Sequence, residues 1–217
     1  MKTLMLLEWR EIARDLRSWL IALLPALLFS AGRTVDFANG GAVLPAGNEL
    51  LDFGCAALVL EMGLLVDLFA YQRDRGELEL LRLLPLRAER LLCAKLLVAL
   101  LPVAALGALQ CLWAWLLLRR EADFSAGAVL PALFSLLALY AFCAAFGAFL
   151  SLTGRTLRAA AAKLLLLVLG SVGLLQTLAI LRPDRPWLPA LLFFALAALS
   201  FALLANRWKS PEKWLVR

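Results

Sequence analysis

Two carboxylates interrupt a long apolar stretch: Glu61 and, about one and a half helical turns further on, Asp67. An acidic group at the middle of a bilayer costs about 2.5–3.5 kcal/mol by insertion scales, so it must face protein or a water-filled cavity and find a donor or lose its proton. Gln110 and Gln176, in later apolar runs, are the candidate partners of Glu61. These four residues are suited to contact a polar or cationic cargo along a substrate pathway, or, for the two acids, to carry protons. Hydrogen bonding between helices is the structural role open to the same residues.

Other chemistry is excluded by composition. The chain contains 0 histidines, so histidine-built zinc sites, His-ligated haem, serine-type triads and histidine proton relays are out of reach. Cys55, Cys93, Cys111 and Cys143 stand far apart within or beside apolar runs, which suits small buried hydrophobes and neither a metal pair nor a disulfide framework. No GxxxxGK[ST] phosphate loop and no GxGxxG turn occurs, so nucleotide hydrolysis by those routes is not expected of this chain. The expectation is a non-catalytic protein without a cofactor of its own.

The elements that carry these residues follow from hydropathy. Of 217 residues 64% are hydrophobic and 18% charged, with a mean hydropathy of +0.87, a balance that no water-soluble domain of this size sustains. Stretches long enough to cross about 30 Å of hydrocarbon are Ser18–Gly32, Asp52–Tyr71, Leu96–Leu118, Gly127–Leu152, Ala159–Leu181 and Trp187–Ala205. The fold class expected is therefore an all-α membrane protein: one transmembrane domain over residues 1–217 with six helices. The first stretch has 15 residues and would rise only about 22 Å. It must borrow a turn from Asp15–Arg17 or be partly re-entrant with Arg33–Gly47.

Lysine and arginine set the orientation. The N-terminal segment holds 4, Gln72–Lys95 holds 6, Thr153–Lys163 holds 3 and Asn206–Arg217 holds 4, against 1, 2 and 2 in the three intervening loops. Both termini are thus expected in the cytoplasm of a multi-pass inner (plasma) membrane protein. The net charge of +6 is explained by that placement and calls for no nucleic-acid partner. The first apolar run follows a charged segment without a small-residue cleavage site, so a cleaved leader is not expected.

Before the first span, Trp9, Ile12, Ala13, Leu16, Trp19 and Leu20 recur at helical spacing opposite a charged face. Residues 1–17 are expected to form an interfacial amphipathic helix on membrane lipid, either a simple anchor or an elbow that moves with the first span. Trp187, Trp208 and Trp214 near span ends read as interfacial anchors. Small residues spaced for close helix approach lie in span three (Gly107, Cys111), span four (Cys143, Gly147, Ser151) and span five (Gly170, Ser171, Gly173), for packing within one subunit or between two.

The loop of residues 72–95 is the most informative segment. It predicts a glycine stop at Gly76, a short amphipathic helix Glu77–Leu84, a break at Pro85 and a second helix running into span three. Leu78, Leu81 and Leu84 recur at helical spacing with Glu77, Glu79 and Arg82 turned elsewhere, a short plug suited to a groove on a cytoplasmic partner.

The pattern Gly76-x-Leu78-Glu79-x-Leu81, then Pro85, with basic Arg87 and Lys95 before an apolar span, resembles the cytoplasmic loop of ABC transporter permeases of the type 2 exporter class. Leu83-Leu84-Pro85-Leu86 followed by Ala94-Lys95 is similar in particular to haem exporter B permeases. The motif covers about twenty residues, and the six spans, elbow helix and length extend the likeness loosely over the chain. The resemblance implies two permeases, identical or related, paired with two ATP-binding subunits that hold ATP and Mg. It implies that the Glu77–Leu84 helix couples those subunits to the spans, with Gly76, Glu77, Leu78, Glu79, Leu81 and Pro85 as the coupling residues, and that spans one and five meet at the permease dimer contact. Arg182–Pro186 is expected to be a bare turn, where such exporters often carry a re-entrant element. A proton-coupled secondary transporter using Glu61 and Asp67, and a membrane assembly protein without transport, are the rival readings.

Overall fold

The computed structural model describes residues 9, 16–38, 46–78, 88–118, 127, 129–154 and 156–209, and every regular element among them is helical. The helices are α1 (Leu16–Ala38), α2 (Ala46–Cys55), α3 (Leu58–Leu65), α4 (Ala88–Leu118), α5 (Val129–Thr153), α6 (Leu157–Leu181) and α7 (Leu188–Lys209). Between α3 and α4 the chain continues through a π-helical segment, Val66–Tyr71, and a last turn, Gln72–Asp74. The interfacial helix expected over residues 1–17 lies outside the described residues, apart from exposed Trp9 and the start of α1.

Among the described residues, five stretches are long and apolar enough to cross a membrane: Asn48–Asp74, Glu89–Leu118, Val129–Thr153, Leu157–Leu181 and Leu188–Trp208. This is a multi-pass membrane protein. Its outward side chains agree, since Leu109, Leu166, Leu169, Leu191 and Leu199 stand exposed, an apolar surface that lipid accepts and water does not.

Helix α1 corrects the expected first segment. It has 23 residues instead of 15 and continues unbroken past Gly32 through Asp36, so Arg33–Ala38 is helix and not part of a re-entrant stretch. Charge ended the apolar run, but it did not end the helix. Arg33 is neutralised there by Glu49 at the head of α2, with both carboxylate oxygens 2.7 Å from Nη2.

The stretch Asn48–Asp74, expected from the sequence as the second span and given that label below, is discontinuous. Around Ala56–Ala57 the ladder tightens to three-residue bonds, Ala56 N to Phe53 O at 3.3 Å and Ala57 N to Gly54 O at 3.0 Å. Tyr140 of α5 also donates its hydroxyl to Gly54 O, at 2.7 Å, so backbone freed from regular helix is met inside the bundle. The Tyr140 ring lies where α4 carries Gly107, since a Cβ there would collide with the hydroxyl.

Contacts along the bundle give its topology. Gly54 meets Leu136 and Tyr140, Leu65 meets Gly147, and Arg73 meets Ser151 and Gly154, so the second span and α5 run in the same direction. Helix α6 runs against both, with Leu164 at Gly147, Ser171 at Cys143 and Gln176 at Asp52. Helix α4 is likewise antiparallel to the second span, from Lys95 beside Gln72 to Cys111 at Leu50 O. Helix α5 is the centre, packing on α2, α3, α4, α6 and most extensively α7. Its small residues let this happen, because a Cβ on Gly147 would stand 2.7 Å from Leu65 Cδ1 and 2.8 Å from Leu164 Cδ2.

Two expectations about faces need correction. Trp208 is 3% exposed and sits in the core, so it is not an interfacial anchor as expected from its place near a span end, whereas Trp187 is exposed beside Phe134. Gly170 and Gly173 meet no neighbouring element within 4 Å of where a Cβ would stand, so among the described residues nothing packs closely on that pair. Trp214 lies outside the described residues.

Candidate functional site

Three polar groupings stand along the bundle. At the end where Arg73 meets Gly154, the turn Gln72–Asp74 closes with Gly76 N on Arg73 O at 3.0 Å and Gly76 at φ +74°. This left-handed geometry is the glycine stop expected there, a conformation costing an L-residue roughly 1–2 kcal/mol. Arg73 turns back onto α5, its Nη1 donating to Ser151 O at 2.9 Å, Leu152 O at 3.3 Å and Gly154 O. A cation on the last carbonyls of a helix satisfies acceptors that have no partner within it and opposes the negative end of the dipole.

Lys95 of α4, wholly buried, donates to Gln72 Oε1 across the same junction. The ends of Asn48–Asp74, α4 and α5 are thereby tied where the 72–95 loop leaves the bundle. Arg75 lies over the Tyr71 ring at 4.1 Å and is 3.6 Å from Glu77.

Of the expected coupling residues, Glu77 is half-exposed while Leu78 is 4% exposed and belongs to the core. The expected leucine stripe is therefore not wholly offered to a partner; its first member is covered by the chain itself. Glu79, Leu81 and Pro85 lie outside the described residues.

Near the middle stands Glu61, on α3. It is 0% exposed, and among the described residues neither carboxyl oxygen has a hydrogen-bond partner. Tyr140 and Cys143 are close enough to interact with it electrostatically, and Cys143 Sγ lies 3.4 Å from Ser171 Oγ. Glu61 thus faces protein and not lipid. Asp67, on the π-helical segment, is exposed.

The expected partners of Glu61 are elsewhere. Gln110 donates to Ala26 O at 3.3 Å and Ser30 Oγ at 3.2 Å, fastening α4 to α1, and Gln176 donates to Asp52 Oδ1. The reason is their level along the bundle: Cys111, next to Gln110, meets Leu50 O and Gln176 meets Asp52, so both amides stand level with Leu50–Asp52 and not with Glu61. The four residues proposed for one pathway are not brought together.

At the opposite end from Arg73, the Arg33–Glu49 pair, Asp52 and Gln176 form the third grouping. Sequence reasoning passed over Arg33, Glu49, Arg73 and Tyr140. Tyr140 carried a usable signal, as one of 2 tyrosines and the one placed deep in an apolar run, where a phenol needs an acceptor. Comparison of the chain with protein-family models, with curated proteins and with solved structures finds no match in any of the three.

Proposed function

We propose that this chain is the transmembrane permease subunit of an ATP-driven ABC exporter, non-catalytic itself and coupled to separate ATP-binding subunits. The observation that carries the reading is the junction at residues 72–78. There a loop between two membrane helices leaves through a left-handed Gly76 and is fastened to neighbouring helices by Arg73 and Lys95. A force applied to such a loop reaches three helices at once. The resemblance of Gly76-x-Leu78-Glu79-x-Leu81 and Pro85 to the coupling loop of type 2 exporters supports the same conclusion.

In this reading α1 is the first of six spans, residues 1–17 are an elbow on the lipid surface, and both termini are cytoplasmic. ATP and Mg are held by the partner ATPase, and a second permease, the same or related, completes the pathway. Because Leu78 is buried, the docking face consists of Glu77, Glu79 and Leu81. Affinity purification from the native membrane should recover a protein carrying GxxxxGK[ST], and Leu81→Asp should release it or uncouple its hydrolysis. Purification without any such ATPase overturns the reading. One observation favours a proton-coupled secondary transporter as second reading, the unpartnered buried carboxyl of Glu61.

A further inference from the structure

Glu61 is carried by α3, which has only 8 residues and lies between two irregular joints: the Ala56–Ala57 break on one side and the π-helical segment Val66–Tyr71 on the other. Its carboxyl is completely enclosed and accepts no hydrogen bond from any of the described residues. Helices α1, α4, α5 and α6 pack against α3, together with the π-helical segment. Among the described residues, the ionisable groups facing the carboxyl are Tyr140 and Cys143 of α5, and neither is a cation.

The cations of the other elements are placed elsewhere. Lys95 of α4 is bonded to Gln72, 11 residues beyond Glu61 by sequence number, which is roughly 16 Å along a helix axis. Lys163 of α6 is exposed, and Arg33 of α1 is paired with Glu49 at the far end. From the π-helical segment comes only Asp67, an acid that points outward.

An uncompensated buried ion costs several kcal/mol even after relaxation, so this packing admits the carboxyl only as the neutral acid. An ionised Glu61 would need water or a cation; the carboxyl is enclosed from bulk solvent, and no cation faces it among the described residues. The two flanking joints are where the helix already departs from regular hydrogen bonding, so α3 can reorient there without breaking an intact ladder.

We propose that Glu61 is a proton-binding site: the proton holds the closed conformation, and its release reorients α3 about the two joints until the carboxylate meets water. The step is Glu61–COOH to Glu61–COO⁻ and a free proton, with no other bond changed. It concerns this chain alone and does not depend on the exporter reading.

The test uses full-length protein in lipid nanodiscs, labelled with ¹³C-glutamate. At pH 7 its infrared spectrum should contain an isotope-shifted neutral-carboxyl band that is missing in Glu61→Gln. In Glu61→Asp the band should persist without the glutamate isotope shift, which identifies the group should the Gln variant fail to fold. In protein retaining Cys143 as its one cysteine, maleimide alkylation should be equal with Glu61 and with Glu61→Gln while the band persists. Once rising pH has abolished the band, alkylation should be about tenfold faster with Glu61 than with Glu61→Gln at the same pH. No neutral glutamate band at pH 7 overturns the site. Loss of the band without faster alkylation overturns its coupling to α3.

Discussion

The Tyr140 hydroxyl, 2.7 Å from Gly54 O, is a single polar contact at the break in the second span. Tyr140→Phe keeps the ring and deletes the donor, so it should cost about 1 kcal/mol, in line with the modest strength of hydrogen bonds between membrane helices. A lowered thermal midpoint in detergent is the readout. Arg33→Ala should cost more, because it takes the cation away from the Glu49 carboxylate, whose side chain is only 4% exposed. With Arg33 itself about a quarter exposed, the lower end of the roughly 3–5 kcal/mol for breaking a buried pair is expected. Glu49→Gln in the Arg33→Ala background should recover part of that loss, and no recovery would show that the pair contributes nothing. At this scale Glu61 was legible, since a charge inside an apolar run must be accommodated. Its isolation was not, because the stagger that sets Gln110 and Gln176 level with Leu50–Asp52 is fixed by packing between helices.

Between elements, Arg73 joins the second span to the end of α5 through three backbone carbonyls. Arg73→Gln should loosen that end, with about 1–3 kcal/mol lost from charge-assisted hydrogen bonds. Amide hydrogen exchange confined to Leu152–Gly154 and the Gln72–Gly76 turn should rise, while exchange at the far end of α5 near Ala132 stays unchanged. The positions of the later spans were legible within a few residues, because each apolar run ends at charges or prolines. The break at Ala56–Ala57 was not, since an unbroken apolar segment has no polar face whose phase could reveal a change of helix. The length of α1 was hidden for the opposite reason: Arg33 and Asp36 look like loop residues until Glu49 is seen beside them.

For the whole molecule, α6 is the outlier. Only 17% of its most apolar window is buried, against 67% for Asn48–Asp74. Gly170→Leu and Gly173→Leu should leave the melting of the isolated chain unchanged, as no described residue of another element lies within 4 Å of where either Cβ would stand. If a second permease occupies that face, the same variants should abolish cross-linking between subunits. Orientation is tested by single cysteines in place of Arg90 and Asp184, both exposed and on opposite ends of the bundle. Labelling of the first only from the cytoplasm and the second only from outside is expected; the exchanged pattern would reverse the assignment made from charge, and labelling of both from one side would overturn the topology. The alternation of helix directions was legible from the lysines and arginines, whereas the identity of the central helix, α5, was not.

The break in the second span also has a history within each round of synthesis. Gly54 and Tyr140 are separated by 86 residues, so at about 5–20 residues per second the carbonyl leaves the ribosome roughly 4–17 s before its phenol partner. During that interval the break has only its tight three-residue bonds, whose geometry is poorer than that of regular helix. The newly inserted second span is therefore favoured as a continuous helix, and it acquires its discontinuity only when α5 arrives. A nascent chain stalled before residue 140 should hold Glu61 in a straight span, turned by a different angle from that of the finished protein.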